Sequence, residues 1–250
     1  MADTFHWYEL LTPDPAAAAK FYSAVVGWEV EAMGPYTLLK TAKGGVAGIA
    51  TQPPEVAATG LGPGWVGYIG VQDVNAAALM AHEAGGKILI EPTDVMGILT
   101  SSWVTDPQGT VYVVFKGNSP NAPPTGGPEE PGYFGWRELM AVDGASALDF
   151  YCAQYGWTQA ETHDMGPMGV YRIFNVDGVQ TGGVMTKPAE MPHSVWNFYI
   201  QVDAIGAAVE RVKAGGGQVI MDPMQVPGGL WVVQCTDPQG AVCSLISPNP

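Results

Sequence analysis

Positive charge is scarce in this sequence. Ten Lys and Arg stand against 24 Asp and Glu, for a net charge of −14. That balance repels phosphate backbones and anionic bilayers, so neither nucleic acid nor a membrane surface is an expected partner. It favours cationic ligands only weakly, because acidity also serves solubility. Long apolar runs are missing as well. No stretch reaches the roughly 18 residues that a membrane-spanning helix needs. The opening residues, Met1-Ala2-Asp3-Thr4-Phe5, have no basic region and no apolar core, so no secretory signal is expected, and the expected location is cytoplasmic. Cysteine is limited to three residues without a Cys-x-x-Cys. Cys235 and Cys243 flank a turn; with Asp237 set opposite Gly240, Cys235 meets Val242 and Cys243 faces the other side, so no disulfide is expected. No Ser-His-Asp arrangement, phosphate loop or nucleophile motif stands out.

What is present is repetition. Asp106-Pro107-Gln108-Gly109 returns 131 residues later as Asp237-Pro238-Gln239-Gly240, each copy preceded by Thr and followed by an apolar run. Pro early and Gly late predict a hairpin tip, with β-rich flanks pairing on either side. Trp7-Tyr8-Glu9-Leu10 returns as Trp136-Arg137-Glu138-Leu139, Phe21-Tyr22 as Phe150-Tyr151, and Gly27-Trp28 as Gly156-Trp157, all at an offset of 129. So many matches in order establish a duplication. Within each half the pattern is strand, helix and three strands, twice over. Helices start near 14, 75, 145 and 205, the first with Asp14 as N-cap, Pro15 in its first turn and Gly27 as its stop. Residues 117–132, rich in Pro and Gly and without hydrophobic period, read as a linker between domains 1–116 and 133–250.

These motifs together resemble the vicinal oxygen chelate superfamily, which includes glyoxalase I, bleomycin-resistance proteins and extradiol dioxygenases. The resemblance covers about 5–115 and 133–247. It implies an α+β fold of four βαβββ modules, forming two glyoxalase-like domains whose curved mixed sheets make cups for small molecules. Enzymes of the family hold a divalent metal there through His and Glu. The matching positions here are Trp7 and Trp136, Val66 and Asn197, Val113 and Ser244, and the strands around Gly48-Ile49-Ala50 and Gly183-Val184-Met185. Indole and aliphatic groups cannot ligate a metal ion, and Asn with Ser cannot replace His and carboxylate. No metal site and no cofactor are therefore expected. The histidines do not restore one: alternation turns His6 away from the cup, His82 reads as solvated on a helix, and His163 and His193 as loop residues.

Alternation proposes a site instead. If Trp7 and Trp136 face the cup, so do Glu9 and Glu138, the candidate catalytic carboxylates. Candidate ligand-binding residues are Trp7, Tyr68, Ser102, Trp136, Asn197, Tyr199, Gln201, Trp231 and Ser244. An apolar, aromatic cup with few polar groups suits small-molecule binding, and a carboxylate in such a setting is costly unless paired or used. Rings that simply fill the cup as core are the competing reading. The expected function is metal-free binding of an aromatic or cationic small molecule, with cation–π contacts as one physical basis. The alternative is a metal-independent lyase- or isomerase-like enzyme using Glu9 or Glu138 as general base. A metal-dependent lactoylglutathione lyase or dioxygenase is contradicted by the ligand positions. The small molecule is the one expected partner; a homodimer is left open.

Overall fold

A computed structural model describes residues 3–118 and 127–250. Residues 119–126, in the middle of the expected linker, lie outside the described residues. The first half runs β1 (Phe5–Leu11), α1 (Pro15–Val26), β2 (Glu29–Met33), β3 (Tyr36–Thr41), β4 (Gly44–Ala50), a one-turn α2 (Pro54–Ala57), β5 (Gly64–Gly70), α3 (Val74–Glu83), β6 (Ile88–Val95), β7 (Leu99–Thr105) and β8 (Val111–Gly117). The second half repeats it as β9 (Phe134–Ala141), α4 (Gly144–Tyr155), β10 (Thr158–Asp164), β11 (Val170–Val176), β12 (Val179–Thr186), β13 (Val195–Gln201), α5 (Ile205–Ala214), β14 (Gln218–Gln225), β15 (Trp231–Thr236) and β16 (Val242–Ser247). The α+β architecture of four βαβββ modules is as the sequence indicated. Local signals act where they stand: the Asp14 carboxylate accepts from Ala17 N at 3.0 Å, Pro15 opens α1, and Gly27 closes it at φ 89°. No helix among the described residues is long and apolar enough to cross a membrane.

Two eight-stranded mixed sheets result, ordered β2-β3-β4-β1-β5-β8-β7-β6 and β10-β11-β12-β9-β13-β16-β15-β14. Strands β1 and β4 pair in parallel, as do β5 and β8, β9 and β12, and β13 and β16; the remaining recorded pairs are antiparallel. The compact units do not follow the sequence halves. Unit 1 comprises Met1–Trp7, Val66–Ala122 and Arg137–Asn197; unit 2 comprises Tyr8–Trp65, Pro123–Trp136 and Phe198–Pro250. Each therefore combines one βαβββ module from either half.

The recurring motifs form the core of each unit. In unit 1, the Trp157 ring stacks on Phe174 at 4.6 Å and on Tyr151 at 5.3 Å, and its indole N–H donates to Asp3 O at 2.7 Å. Phe5 closes this box edge-on to Trp196 at 5.0 Å. The hairpin carboxylate Asp106 is buried, accepting through Oδ1 from Gln108 N and Thr110 N and through Oδ2 from the Tyr151 hydroxyl at 3.3 Å. The same hydroxyl accepts from Trp196 Nε1 at 3.0 Å. In unit 2, Trp28 donates to Gly132 O at 2.9 Å, Phe134 stacks on Tyr8 at 3.6 Å, and Trp65 Nε1 donates to the Tyr22 hydroxyl at 3.1 Å. Asp237 binds Gln239 N and Ala241 N through Oδ1. Tyr22 stands toward Asp237 as Tyr151 stands toward Asp106, but more loosely, since Asp237 Oδ2 has no partner at hydrogen-bond distance. Buried polar groups of this kind specify one packing arrangement when fully satisfied.

One expectation about the hairpins is corrected. Asp237 N bonds to Ala241 O, one residue beyond Gly240, and Asp106 N bonds likewise to Thr110 O. The loop is thus one residue longer than the simple turn, with Gly109 and Gly240 at φ 86° and 90°. A shift of one residue exchanges the faces of a strand. Cys235 and Cys243 consequently sit directly opposite each other, both buried, both as free thiols. Burial pushes the Cys235 thiol up to about 11.

Candidate functional site

Glu9 and Glu138 are both buried, with relative exposures of 8% and 9%. Each sits beside a glycine on the neighbouring parallel strand: Glu9 pairs with Gly48, and Glu138 with Gly183. Neither glycine could carry a side chain as the structure stands. A Cβ on Gly48 would lie 1.7 Å from the Tyr36 hydroxyl oxygen, and one on Gly183 would lie 2.2 Å from the Tyr171 ring. So at both repeats a phenol from the third strand of the module lies across the glycine, on the face that carries the carboxylate. In unit 2 the trio is Glu9, Gly48 and Tyr36; in unit 1 it is Glu138, Gly183 and Tyr171. Sequence reasoning stopped at those glycines as positions lacking a ligand and passed over the tyrosines. Their signal was a Tyr in the first two residues of the third strand in both halves.

Unit 1 adds Asn197, whose Nδ2 approaches Glu138 Oε2 at 3.5 Å, so two of the expected site residues do meet. Tyr68 lies in the same unit, its ring edge-on to Trp103 and Phe115, each at 5.9 Å. Tyr68 and Trp103 both pair with Val113, which puts all three on one face. Ser102, expected on that face, is on the other: it pairs with Val114, is fully buried, and donates to Ile90 O at 2.7 Å. His6 is not turned away as alternation predicted. Its Cδ2 lies over Gly70, 2.6 Å from where a Cβ would stand, and the Phe115 ring is also within reach. Desolvation, with the Arg137 guanidinium as the smaller cause, pushes the His6 pKa below its ordinary value. His163 lies within β10 opposite Tyr171, rather than in a loop, with Glu161 3.5 Å from its Nε2.

In unit 2, Tyr199 pairs with Ser244 and its hydroxyl accepts from Gln234 Nε2 at 2.9 Å. Trp136 packs against the cluster of Tyr199, Val232 and Ile246. Gln201 is buried and pairs with Ile246. Trp231 is the second correction of face: it pairs with Ser247, one step out of phase with Ser244 and Ile246. Both face errors follow from the longer hairpin loop. Trp7 is half-buried on β1. Two cavities stand out, and neither is lined by the carboxylates. One of about 340 Å³ in unit 1 lies where Pro107 and Gln108 meet α4, and one of about 530 Å³ in unit 2 lies between α1 and β2.

The donor set does not suit a divalent ion. No group of three or more His, Cys, Asp or Glu residues comes together among the described residues. At the fourth-strand position there is no side chain, and the space is filled by a phenol. The remaining positions offer indole, isopropyl, amide and hydroxyl groups, which are poor partners for Zn, Fe or Mn without His and carboxylate beside them.

The chain matches the Glyoxalase/Bleomycin resistance protein/Dioxygenase superfamily over residues 4–114 and 134–244. It belongs to that superfamily. The protein named "Putative glyoxylase CFP32" from Mycobacterium tuberculosis (strain CDC 1551 / Oshkosh) is 31% identical over 253 residues, covering 99% of this chain and 95% of its own. "Anthracycline biosynthesis protein DnrV" from Streptomyces peucetius is 30% identical over 257 residues, covering 96% and 91%. Among solved structures, the Mn(II)-bound glyoxalase of Novosphingobium aromaticivorans superposes with a TM-score of 0.68 at 15% identity, over 100% of this chain and 82% of that one. The 2,2',3-trihydroxybiphenyl 1,2-dioxygenase of Sphingomonas wittichii strain RW1 does so with 0.70 at 13%, over 99% and 91%. At such identities the structures share the fold, and a fold of this kind hosts many chemistries.

Proposed function

We propose that this superfamily member binds a small aromatic or cationic organic molecule on the faces carrying Glu9 and Glu138, without the divalent metal that enzymes of the superfamily use. The observation that carries the reading is the carboxylate–glycine–tyrosine trio built alike in both units. A buried carboxylate beside a phenol offers a charged acceptor and a neutral donor in an apolar setting, where each counts for more than in water. Adjacent aromatic walls add area and, for a cation, attraction to the ring faces. A relative named for anthracycline biosynthesis supports an aromatic ligand class.

A second reading is favoured by one contact. The Asn197 amide directed at Glu138 would orient the carboxylate, as a general base requires. The relative named as a glyoxylase fits an enzyme. Isothermal titration of a panel of neutral and cationic aromatics against wild type, Glu9→Gln and Glu138→Gln tests the first reading, each step repeated with chelator. Loss of at least tenfold in affinity, about 1.4 kcal/mol, is expected in one or both variants, with no effect of chelator. Unchanged affinity in both folded variants, or binding that collapses on chelation, would refute it.

A further inference from the structure

The last strands of the two halves share one register, so their faces can be compared position by position. Tyr68 and Trp103 flank Val113, as Tyr199 and Gln234 flank Ser244; Gly70 pairs with Phe115, as Gln201 pairs with Ile246. In unit 1 the face is made of rings packed on one another, with Tyr68 and Trp103 nearly inaccessible. In unit 2 the same positions hold a phenol, two amides and a hydroxyl, of which Tyr199, Gln201 and Ser244 are buried. Strands β13, β15 and β16 carry no Asp, Glu, Lys, Arg or His at all. Gln234 stands where unit 1 has the Trp103 ring, while Gln201 and Ser244 stand where unit 1 has Gly70 and Val113. An amide at a position where the fold accepts a ring costs desolvation that the ring would not, which points to a use for it beyond packing.

We propose that the Tyr199–Gln201–Gln234–Ser244 face of unit 2 is a selective site for a neutral ring compound bearing hydroxyl or carbonyl groups, whereas its counterpart in unit 1 is filled by its own rings. Each amide offers donors and an acceptor, which match hydroxyl and carbonyl edges, and the Trp136 indole beside them offers an apolar surface for the ring. These three strands themselves bring no charged side chain to neutralise an ion. The inference rests on the small-molecule reading and narrows its ligand class. Two probes separate the cases by isothermal titration calorimetry: 1,5-dihydroxynaphthalene, neutral and hydroxylated, and the cation N-methylquinolinium. The neutral probe is expected to bind more tightly, to lose at least tenfold in affinity in Gln234→Leu and in Gln201→Leu, and to be unaffected by Phe115→Leu in unit 1. Thermal melts verify folding, and Gln234→Ser replaces any leucine variant that fails to fold. Unchanged affinity in the amide variants overturns the inference. So does preference for the cation with loss in Glu9→Gln or Glu138→Gln, an outcome that leaves the broader binding reading standing. If neither probe binds, both fail.

Discussion

The Tyr151 hydroxyl joins two buried polar partners in unit 1, and its removal has a calculable cost that depends on pH. In Tyr151→Phe the Trp196 N–H and Asp106 Oδ2 each lose a partner, at 3.0 and 3.3 Å in the native protein. Leaving a buried group unsatisfied costs about 1–3 kcal/mol, so the pair predicts roughly 2–6 kcal/mol near neutral pH. Burial raises the Asp106 pKa, outweighing the backbone and Tyr151 hydrogen bonds that lower it. A folded pKa above the unfolded value means that the native state binds its proton more readily. This contribution to stability is therefore greatest below the ordinary carboxylate value and falls as pH rises through the folded pKa. Removing the Tyr151 hydrogen bond removes one of the lowering influences, so the folded pKa climbs further and the fall with pH deepens. Urea unfolding of wild type and variant at steps from pH 4 to pH 8 measures this. The difference between them should grow with pH and level off once Asp106 is ionised in both states. Tyr155→Phe is the control, since the Tyr155 hydroxyl donates to Tyr112 rather than to a carboxylate; its cost should vary less with pH. A Tyr151→Phe cost below about 0.5 kcal/mol, or one flat across the range, would refute the network as described.

Two further outcomes are expected. Gln108→Ala should destabilise more than Gln239→Ala in chemical melts. Gln108 clamps the start of α4 through Asp143 O, Asp143 N and Ser146 Oγ, whereas Gln239 Oε1 has no partner; a difference of about 1–2 kcal/mol is predicted, and equal costs would count against the clamp. Gly183→Ala should displace the Tyr171 phenol, because the new methyl would overlap its ring. The expected result is a folded protein about 1–3 kcal/mol less stable, with greater Tyr171 reactivity toward nitration on peptide mapping; unchanged reactivity would show that the phenol does not occupy the glycine space.

The fold was legible because its signals are local and occur twice. Asp14, Pro15 and Gly27 each act within one turn of helix, and the hairpin tetrapeptide acts within its own loop. The association of modules was not legible, for a different reason. The Phe-Tyr, Gly-Trp and Asp-Pro-Gln-Gly motifs mark the repeat in sequence, yet their side chains meet partners in the other half of the chain, as Tyr151 meets Asp106, 45 residues away, and Trp28 meets Gly132, 104 residues away. Motif recurrence located them without disclosing what they touch. Once they are seen to be internal fastenings, they are unavailable as recognition groups, and the search for function moves to residues outside these motifs.

The candidate site shows how far alternation can be carried. Counting by twos placed Tyr68, Val113 and Ser244 correctly relative to their strand partners, because none of them was counted back across a hairpin loop. The same count failed at Ser102 and Trp231, because one extra residue in each hairpin loop reverses every side chain that is counted back through it. The largest omission has another physical origin. Gly48 and Gly183 contribute no functional group, and a sequence reading inventories groups. What those positions supply is space, and the space is useful only because a tyrosine on the adjacent strand is long enough to lie across it. At the fourth-strand position, to which the family resemblance assigned a metal ligand, this chain has no side chain and admits a phenol from next door in both repeats. The repeats then diverge on the neighbouring strands, rings at Trp103 and Phe115 in one, an amide and an aliphatic chain at Gln234 and Ile246 in the other. The two repeats thus share the trio and differ on the strands beside it, so a molecule that reads the differing groups would tell the two faces apart.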